Sequence, residues 1–262
     1  MKILAINSSF RGPKGVSAFL IDKLFKGAME KGAECETIHL AELQINHCID
    51  CQLCQTPEHL LNCTFDEKDD ANFVFRKMRE ADLIIFATPV YVLGMSSLLK
   101  TLLERSYSTA KVGEFHFTKS RMFFHHVDQA LMQKPFVPLV VYDNLETKMP
   151  KNIVSYFKTY SKFADAELVG TLIRKSAGML GVAASQASNH AIADSIFQAY
   201  VQAGRELAIQ KKISKPTEKK ANQPIIRLPF FVKPMLKLGI GKDQIEKGHA
   251  RMMRSVMKRN QY

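Results

Sequence analysis

The stretch ADLIIFATPVY (residues 81–91) constrains this chain more than any other. It is almost wholly apolar, so a strand built from it must be covered on both faces, the condition of a parallel sheet wrapped in helices. Strands of the same kind are predicted at KILAINSS (2–9), CETIHL (35–40), FVPLVVYDN (136–144) and ELVGTLI (167–173). Helical spacing fills the gaps between them. Leu20, Ile21, Leu24, Phe25 and Ala28 form one stripe that stops at Gly32, and Ala71, Val74, Phe75 and Met78 form another behind Asp69 and Asp70. A third stripe runs through Met95, Leu98, Leu99, Leu102 and Leu103, and residues 152–163 and 189–210 read as two more helices. The expected fold class is therefore α/β: a doubly wound, five-stranded parallel sheet with right-handed connections and helices on both faces. Residues 106–134 fit no element and read as an insertion.

Charge divides the chain unevenly. Of the net +12, residues 211–262 hold 14 Lys and Arg against three acidic residues, while residues 1–210 hold 23 against 22. A nearly neutral domain over 1–210 and a basic C-terminal extension over 211–262 follow, with KKISKPTEKKANQP (211–224) as the joint. The bulky and basic residues of IIRLPFFVKPMLKLGIG suit contact with nucleic acid or an anionic membrane surface. Packing of that tail against the core or a second copy is the favoured alternative, as for a helical face of Ile245, His249, Met252 and Val256. No apolar run approaches the roughly 18 residues of a membrane span. The start, MKILAINSSFRG, is too short in apolar residues for a signal-peptide core, so a cytoplasmic setting is expected. Thiols stay reduced there, and clustered cysteines point to metal or redox chemistry rather than disulfides.

In a sheet of this kind, ligands bind beyond the carboxyl ends of the first and third strands. After the first comes NSSFRGPKGVS (7–17), leading straight into a helix. Hydroxyls of Ser8, Ser9 and Ser17, backbone N–H groups near Gly15 and Val16, the Arg11 guanidinium and the helix's positive end form a donor set for a monophosphate. A polar loop with an N-cap is the alternative. At the third strand's end Pro89 biases Thr88 toward extended backbone, and the chain presents Val90 and Tyr91 at the same edge, where a planar ring can lie.

Cys48, Cys51, Cys54 and Cys63 follow the spacing C-x2-C-x2-C-x8-C. Four thiolates in such a run suit a [4Fe–4S] cluster. Zinc with four cysteines, whose usual knuckles are two separated pairs, and reduced thiols without metal remain alternatives. His47 and His59 flank the run and read as solvent-facing, Cys35 reads as a small buried thiol, and His116, His125 and His126 read as surface residues of the insertion.

INSSFRGPKGVS, the cysteine segment continuing to CTFDEKDD, and ADLIIFATPVY followed by SSLLKTLLER together resemble the flavodoxin-like NAD(P)H-dependent FMN reductases, and within them the iron–sulfur flavoproteins. The likeness covers roughly residues 2–105, and more loosely the sheet to about 175. It implies a flavodoxin-like fold, FMN as cofactor and NAD(P)H as cosubstrate. Ser9, Arg11, Gly15, Val16 and Ser17 would hold the FMN phosphate, and Thr88, Pro89, Val90 and Tyr91 would line the isoalloxazine. Tyr142 and Asp143 stand where relatives often carry a glycine pair. The implied activity is FMN-dependent transfer of electrons from a nicotinamide cofactor to a quinone, flavin or other acceptor. An electron carrier fed by a ferredoxin-type, acidic protein and a non-enzymatic flavin-bound redox sensor are the alternatives. A homo-oligomer is expected, with residues 106–134 as its lid or dimer arm. Hydride transfer to flavin demands no side-chain base, so no catalytic residue is assigned.

Overall fold

The structure is a computed structural model that describes residues 1–180, 187–225, 231–243 and 246–247. Its sheet is built from β1 (Lys2–Asn7), β2 (Glu34–His39), β3 (Leu83–Tyr91), β7 (Phe136–Val141) and β8 (Leu172–Arg174), in the order β2-β1-β3-β7-β8. All these pairings are parallel. This is the flavodoxin-like order, whose switch point lies between β1 and β3. A two-residue strand, β4 (Gly94–Met95), folds back antiparallel on the end of β3.

Alternation along the strands decides what each face buries. Leu4, Ile6, Ile84, Phe86 and Val140 pack with residues of α2 (Ala71–Glu80), α3 (Ser97–Arg105) and α5 (Lys151–Phe163), where Phe86 stacks on Phe157 at 5.6 Å. Truncating a ring of this kind to alanine costs about 3–5 kcal/mol. The intervening Ile3, Ala5, Leu83 and Ile85 are equally buried, so both faces are covered as the apolar sequence of β3 requires. Helices α1 (Val16–Met29) and α6 (Ala187–Gln210) cross at reciprocal glycines. A Cβ on Gly27 would stand 1.8 Å from the Val201 carbonyl oxygen, and one on Gly204 would stand 1.8 Å from that of Leu24. The two backbones therefore touch directly, which fixes the helix whose first turn borders the switch point.

Three regions differ from their predicted form. The fifth strand is shorter than 167–173: Leu168 makes an isolated bridge to Phe136, then Ile213 packs over Gly170 and the ladder resumes only at Leu172. Residues 106–134 are not structureless. They form an antiparallel hairpin of β5 (Ala110–Phe117) and β6 (Phe123–Val127), then α4 (Gln129–Met132) capped by Asp128. A register shift between Lys111 and Phe115 breaks the two-residue alternation that would have revealed the strands.

The boundary near the C-terminus also lies further on. The chain divides into compact units Met1–Ile225 and Ile226–Tyr262, placing residues 211–225 in the first. The reason is α7 (Lys215–Ala221), capped by Ser214 and bonded through the Thr217 hydroxyl to Glu206 at 2.6 Å. Its lysines obscure the buried Thr217 and Ala221 in the sequence. Asn222 then extends the sheet edge, accepting from Ile173 N at 2.7 Å and donating to Thr171 O at 2.9 Å. The second unit contains α8 (Val232–Lys237), and Ile245, His249, Met252 and Val256 lie outside the described residues. Among the described residues no helix is long and apolar enough to cross a membrane.

Candidate functional site

The β1–α1 loop is shaped by its own short-range bonds. Asn7 Oδ1 accepts from Ser9 N at 3.1 Å while Nδ2 donates to Gly12 O at 3.1 Å, and Ser9 Oγ accepts from Arg11 N at 3.3 Å. Ser8 ties the loop to β3, its N–H and its hydroxyl both donating to Ala87 O at 2.9 Å. Helix α1 then starts with Gly15 in the cap position, with no side-chain cap and no acidic residue in the first turn. An N-capped loop needs a side-chain acceptor at that point, and Gly15 has none. The first-turn N–H groups and the positive helix end are thus left for another acceptor. Ser9 and Ser17 are buried beside them, 4% and 2% exposed, and Arg11 lies at the surface. A Cβ on Gly15 would approach Ser9 Oγ to 2.9 Å and Arg11 Cβ to 3.3 Å. Neutral donors and an open helix end fit a phosphate.

Beside it, Thr88 at the exit of β3 is buried, and its Oγ1 accepts from Ser96 N at 3.0 Å. Pro89 and Val90 are half-buried and Tyr91 is exposed. The turn from β3 to β4 puts Val92 at φ +45° and Leu93 at φ +64°, both exposed. Non-glycine residues in that region each cost on the order of 1–3 kcal/mol, and such strain concentrates at functional sites. Phe10, from the first loop, faces Tyr91 with ring centroids 6.1 Å apart. Ser96 Oγ is buried and has no hydrogen-bond partner among the described residues. On the far side, Tyr142 is 6% exposed, and burial pushes its phenol above the ordinary range. Its N–H donates to Arg174 O at 2.9 Å, and its carbonyl accepts from Ala177 N at 3.1 Å. Asp143 is exposed and accepts from Gly178 N at 2.6 Å, which commits one carboxylate oxygen to the loop after β8.

Cys48, Cys51, Cys54 and Cys63 line one small cavity, with Phe65, Arg105 and Tyr107 also in its wall. Each of three cysteines has an anchored neighbour. His47 Nδ1 lies 3.1 Å from the Thr101 hydroxyl, Gln55 donates to Ala110 O at 2.9 Å and accepts from Val112 N at 3.0 Å, and Asp66 accepts from Cys63 N at 2.7 Å. Cys51 is the exposed member, between Asp50 and Gln52, both in left-handed backbone. Burial pushes the Cys54 thiol up; the Gln55 side chain opposes this, and Cys63, Cys51 and Cys48 add to it. A metal taken up here must displace that proton. Among the described residues no three His, Cys, Asp or Glu side chains are set to hold a single metal ion. Cys35, remote in the sequence, is half-buried, and burial pushes its thiol up to about 11.

The loop's base is closed by Asp69. Its Oδ2 accepts from Asn46 N at 2.9 Å and from Arg105, and its Oδ1 accepts from Ala71 N at 3.0 Å. Burial would raise this carboxyl, but those donors outweigh it and hold it below the ordinary value. Sequence reasoning singled out the four cysteines and the two strand-end loops, and missed Phe10, Ser96, Gln55, Asp69 and Arg105. For Ser96 a signal existed, a serine heading the apolar stripe of α3. For Gln55 and Arg105 there was none, since these partners lie 52–57 and 36–59 residues away.

The sequence profile of the NADPH-dependent FMN reductases matches residues 1–142 of the 262. An iron–sulfur flavoprotein of Methanocaldococcus jannaschii is 38% identical over 106 residues, 40% of this chain and 52% of that protein. One from Archaeoglobus fulgidus is 32% identical over 158 residues, 59% of this chain and 74% of that protein. The chain thus spans about half the length of the first relative and three quarters of the second. Among solved structures, an NAD(P)H:quinone oxidoreductase from Methanothermobacter marburgensis superposes with TM-score 0.57 at 14% identity, covering 79% of this chain and 96% of that one. An FMN-dependent NADH-azoreductase from Bacillus anthracis, solved with FMN, gives 0.52 at 12%, covering 79% and 99%. At these identities the structural likeness establishes the fold.

Proposed function

The chain belongs to the NADPH-dependent FMN reductase family, and from that premise we propose that it is an oxidoreductase that oxidises NAD(P)H through FMN and delivers the electrons to a quinone, a flavin or another small acceptor. The observation that carries this is the uncapped first turn of α1 beside the buried hydroxyls of Ser9 and Ser17. Bound there, FMN would supply hydride acceptance at its ring and release of electrons singly or in pairs. The protein's part is placement. Ser9, Arg11, Gly15, Val16 and Ser17 hold the phosphate through N–H, hydroxyl and guanidinium donors. Thr88, Pro89, Val90 and Tyr91 form the ring's wall, and Tyr142 and Asp143 border it from the next strand.

Cys48, Cys51, Cys54 and Cys63 are proposed as ligands of a [4Fe–4S] cluster. Their sharing of one cavity and their C-x2-C-x2-C-x8-C spacing support a group held by all four thiols. That arrangement and the iron–sulfur flavoprotein relatives also favour a second reading, an electron carrier taking electrons from a ferredoxin-type partner. The basic C-terminal unit would attract such an acidic protein. A homo-oligomer is proposed as the working form, with the hairpin β5–β6 as its arm; its exposed Phe115, Phe117 and Phe123 suit contact with a second copy better than water.

One anaerobic preparation tests both readings. Absorption, flavin, iron and sulfide are measured, then oxidation of NADH and NADPH with quinone or flavin as acceptor. Turnover of either nicotinamide by flavin-loaded protein supports the reductase. Reduction by ferredoxin but not by NAD(P)H replaces it with the carrier, and a protein that takes up no FMN defeats both.

A further inference from the structure

Arg105 closes α3, and its side chain is sealed from solvent while bordering the cysteine cavity. It grips both legs of the cysteine loop. Nη1 donates to Asn46 O at 3.3 Å on the incoming leg and to Asp69 on the outgoing one, and Nη2 donates to Asp66 Oδ1 at 3.4 Å. Asp66 in turn accepts from Cys63 N, so the guanidinium reaches one proposed ligand's backbone through a single carboxylate. Phe65 lies across it at 5.4 Å.

Charge and donors are not equally spent. The two carboxylates that pair with Arg105 are absent from the cavity wall, where the acidic side chain is Asp50, exposed to water. Nε is buried and has no hydrogen-bond partner among the described residues. A buried N–H is costly unless an acceptor is supplied, and sulfur atoms of a bound cluster are such acceptors. A buried charge is also screened far less than one at the surface.

Resting on the iron–sulfur reading above, we propose that Arg105 is the positioning residue of the cysteine centre: it clasps the loop's two legs, and its charge and free Nε–H raise the reduction potential of the group the cysteines hold. A cluster gains negative charge on reduction, so a fixed cation beside it favours the reduced state.

The test compares wild type, R105K, R105Q and the surface control K68Q, all purified anaerobically, by iron and sulfide content, rate of iron loss to a chelator, and cluster and flavin midpoint potentials from one redox titration. Wild type without iron overturns the iron–sulfur reading itself, and that failure is visible before any substitution. In iron-loaded protein R105Q should move the cluster midpoint to more negative values and leave the flavin midpoint in place. R105K keeps a charge but not the planar fork. It should fall between wild type and R105Q in potential and lose iron several-fold faster than wild type, and it carries the test alone if R105Q does not fold. Cluster midpoints equal to wild type, or a shift matched by K68Q, overturn the proposal.

Discussion

Ser9 and Cys54 sit in loops that are held in different ways. The loop around Ser9 is fixed mostly from within: its bonds span two to five residues, with tethers from Ser8 to β3 and from Asn7 Nδ2 to His39 Nδ1 of β2 at 2.9 Å. The loop around Cys54 is fixed from outside, by Thr101 and Arg105 on α3 and by the backbone of the hairpin at Ala110 and Val112. The first depends on little beyond β1, its two neighbouring strands β2 and β3, and α1. The second exists only once distant parts of the sheet's covering are in place. A binding site of the first kind is robust to change elsewhere; one of the second kind reports on the whole domain.

If the two loops are independent, substitutions should separate the groups proposed for them. The largest effect is expected from C54S, which removes a buried thiol. Iron should fall from about four per chain to less than about one, with FMN affinity changed less than about twofold. Concurrent loss of flavin, read by fluorescence titration, would break the comparison. G15V makes the converse cut. The added side chain collides with Ser9 and Arg11 at allowed backbone angles, so FMN should bind at least about tenfold more weakly, roughly 1.4 kcal/mol, while iron stays. Smaller still is S96A, which should stabilise the flavin-free protein by about 1 kcal/mol in urea unfolding and weaken FMN binding a few-fold. The opposite signs matter: a variant that destabilises the flavin-free protein would show that Ser96 serves the fold alone.

The smallest effect separates Cys35 from the clustered thiols. Its folded-state value of about 11 stands above the ordinary 9.0, so its contribution to stability is whole below pH 9.0 and drains as pH climbs through 11. C35A should flatten that alkaline decline and leave both iron and flavin untouched. An unchanged pH profile would sink the assignment.

How much of this was legible in sequence follows the same division. The apolar runs of β3 and β7 and the stripe of α1 fixed the sheet, because burial on both faces leaves a continuous local mark. The first loop could be read because its donors are contiguous. The cysteine spacing suggested a ligand set, whose members the structure gathers around one cavity, but not Asp69, Gln55 or Arg105, whose roles arise from pairings more than 20 residues apart. The hairpin escaped notice because its register shift disrupts the period, and α7 because its lysines mask a half-buried helix.

The Arg105 clasp also sets an order of events. On a chain made from its N-terminus, the four thiols emerge first and Asp69 waits 36 residues for the partner that shuts the loop. Iron offered before then meets an open, thiol-rich segment with no preference among soft metals; iron offered afterwards meets a loop closed at its base. On the proposed iron–sulfur reading, selective maturation would wait for completion of α3, and a chain stalled short of it would be an unselective metal scavenger.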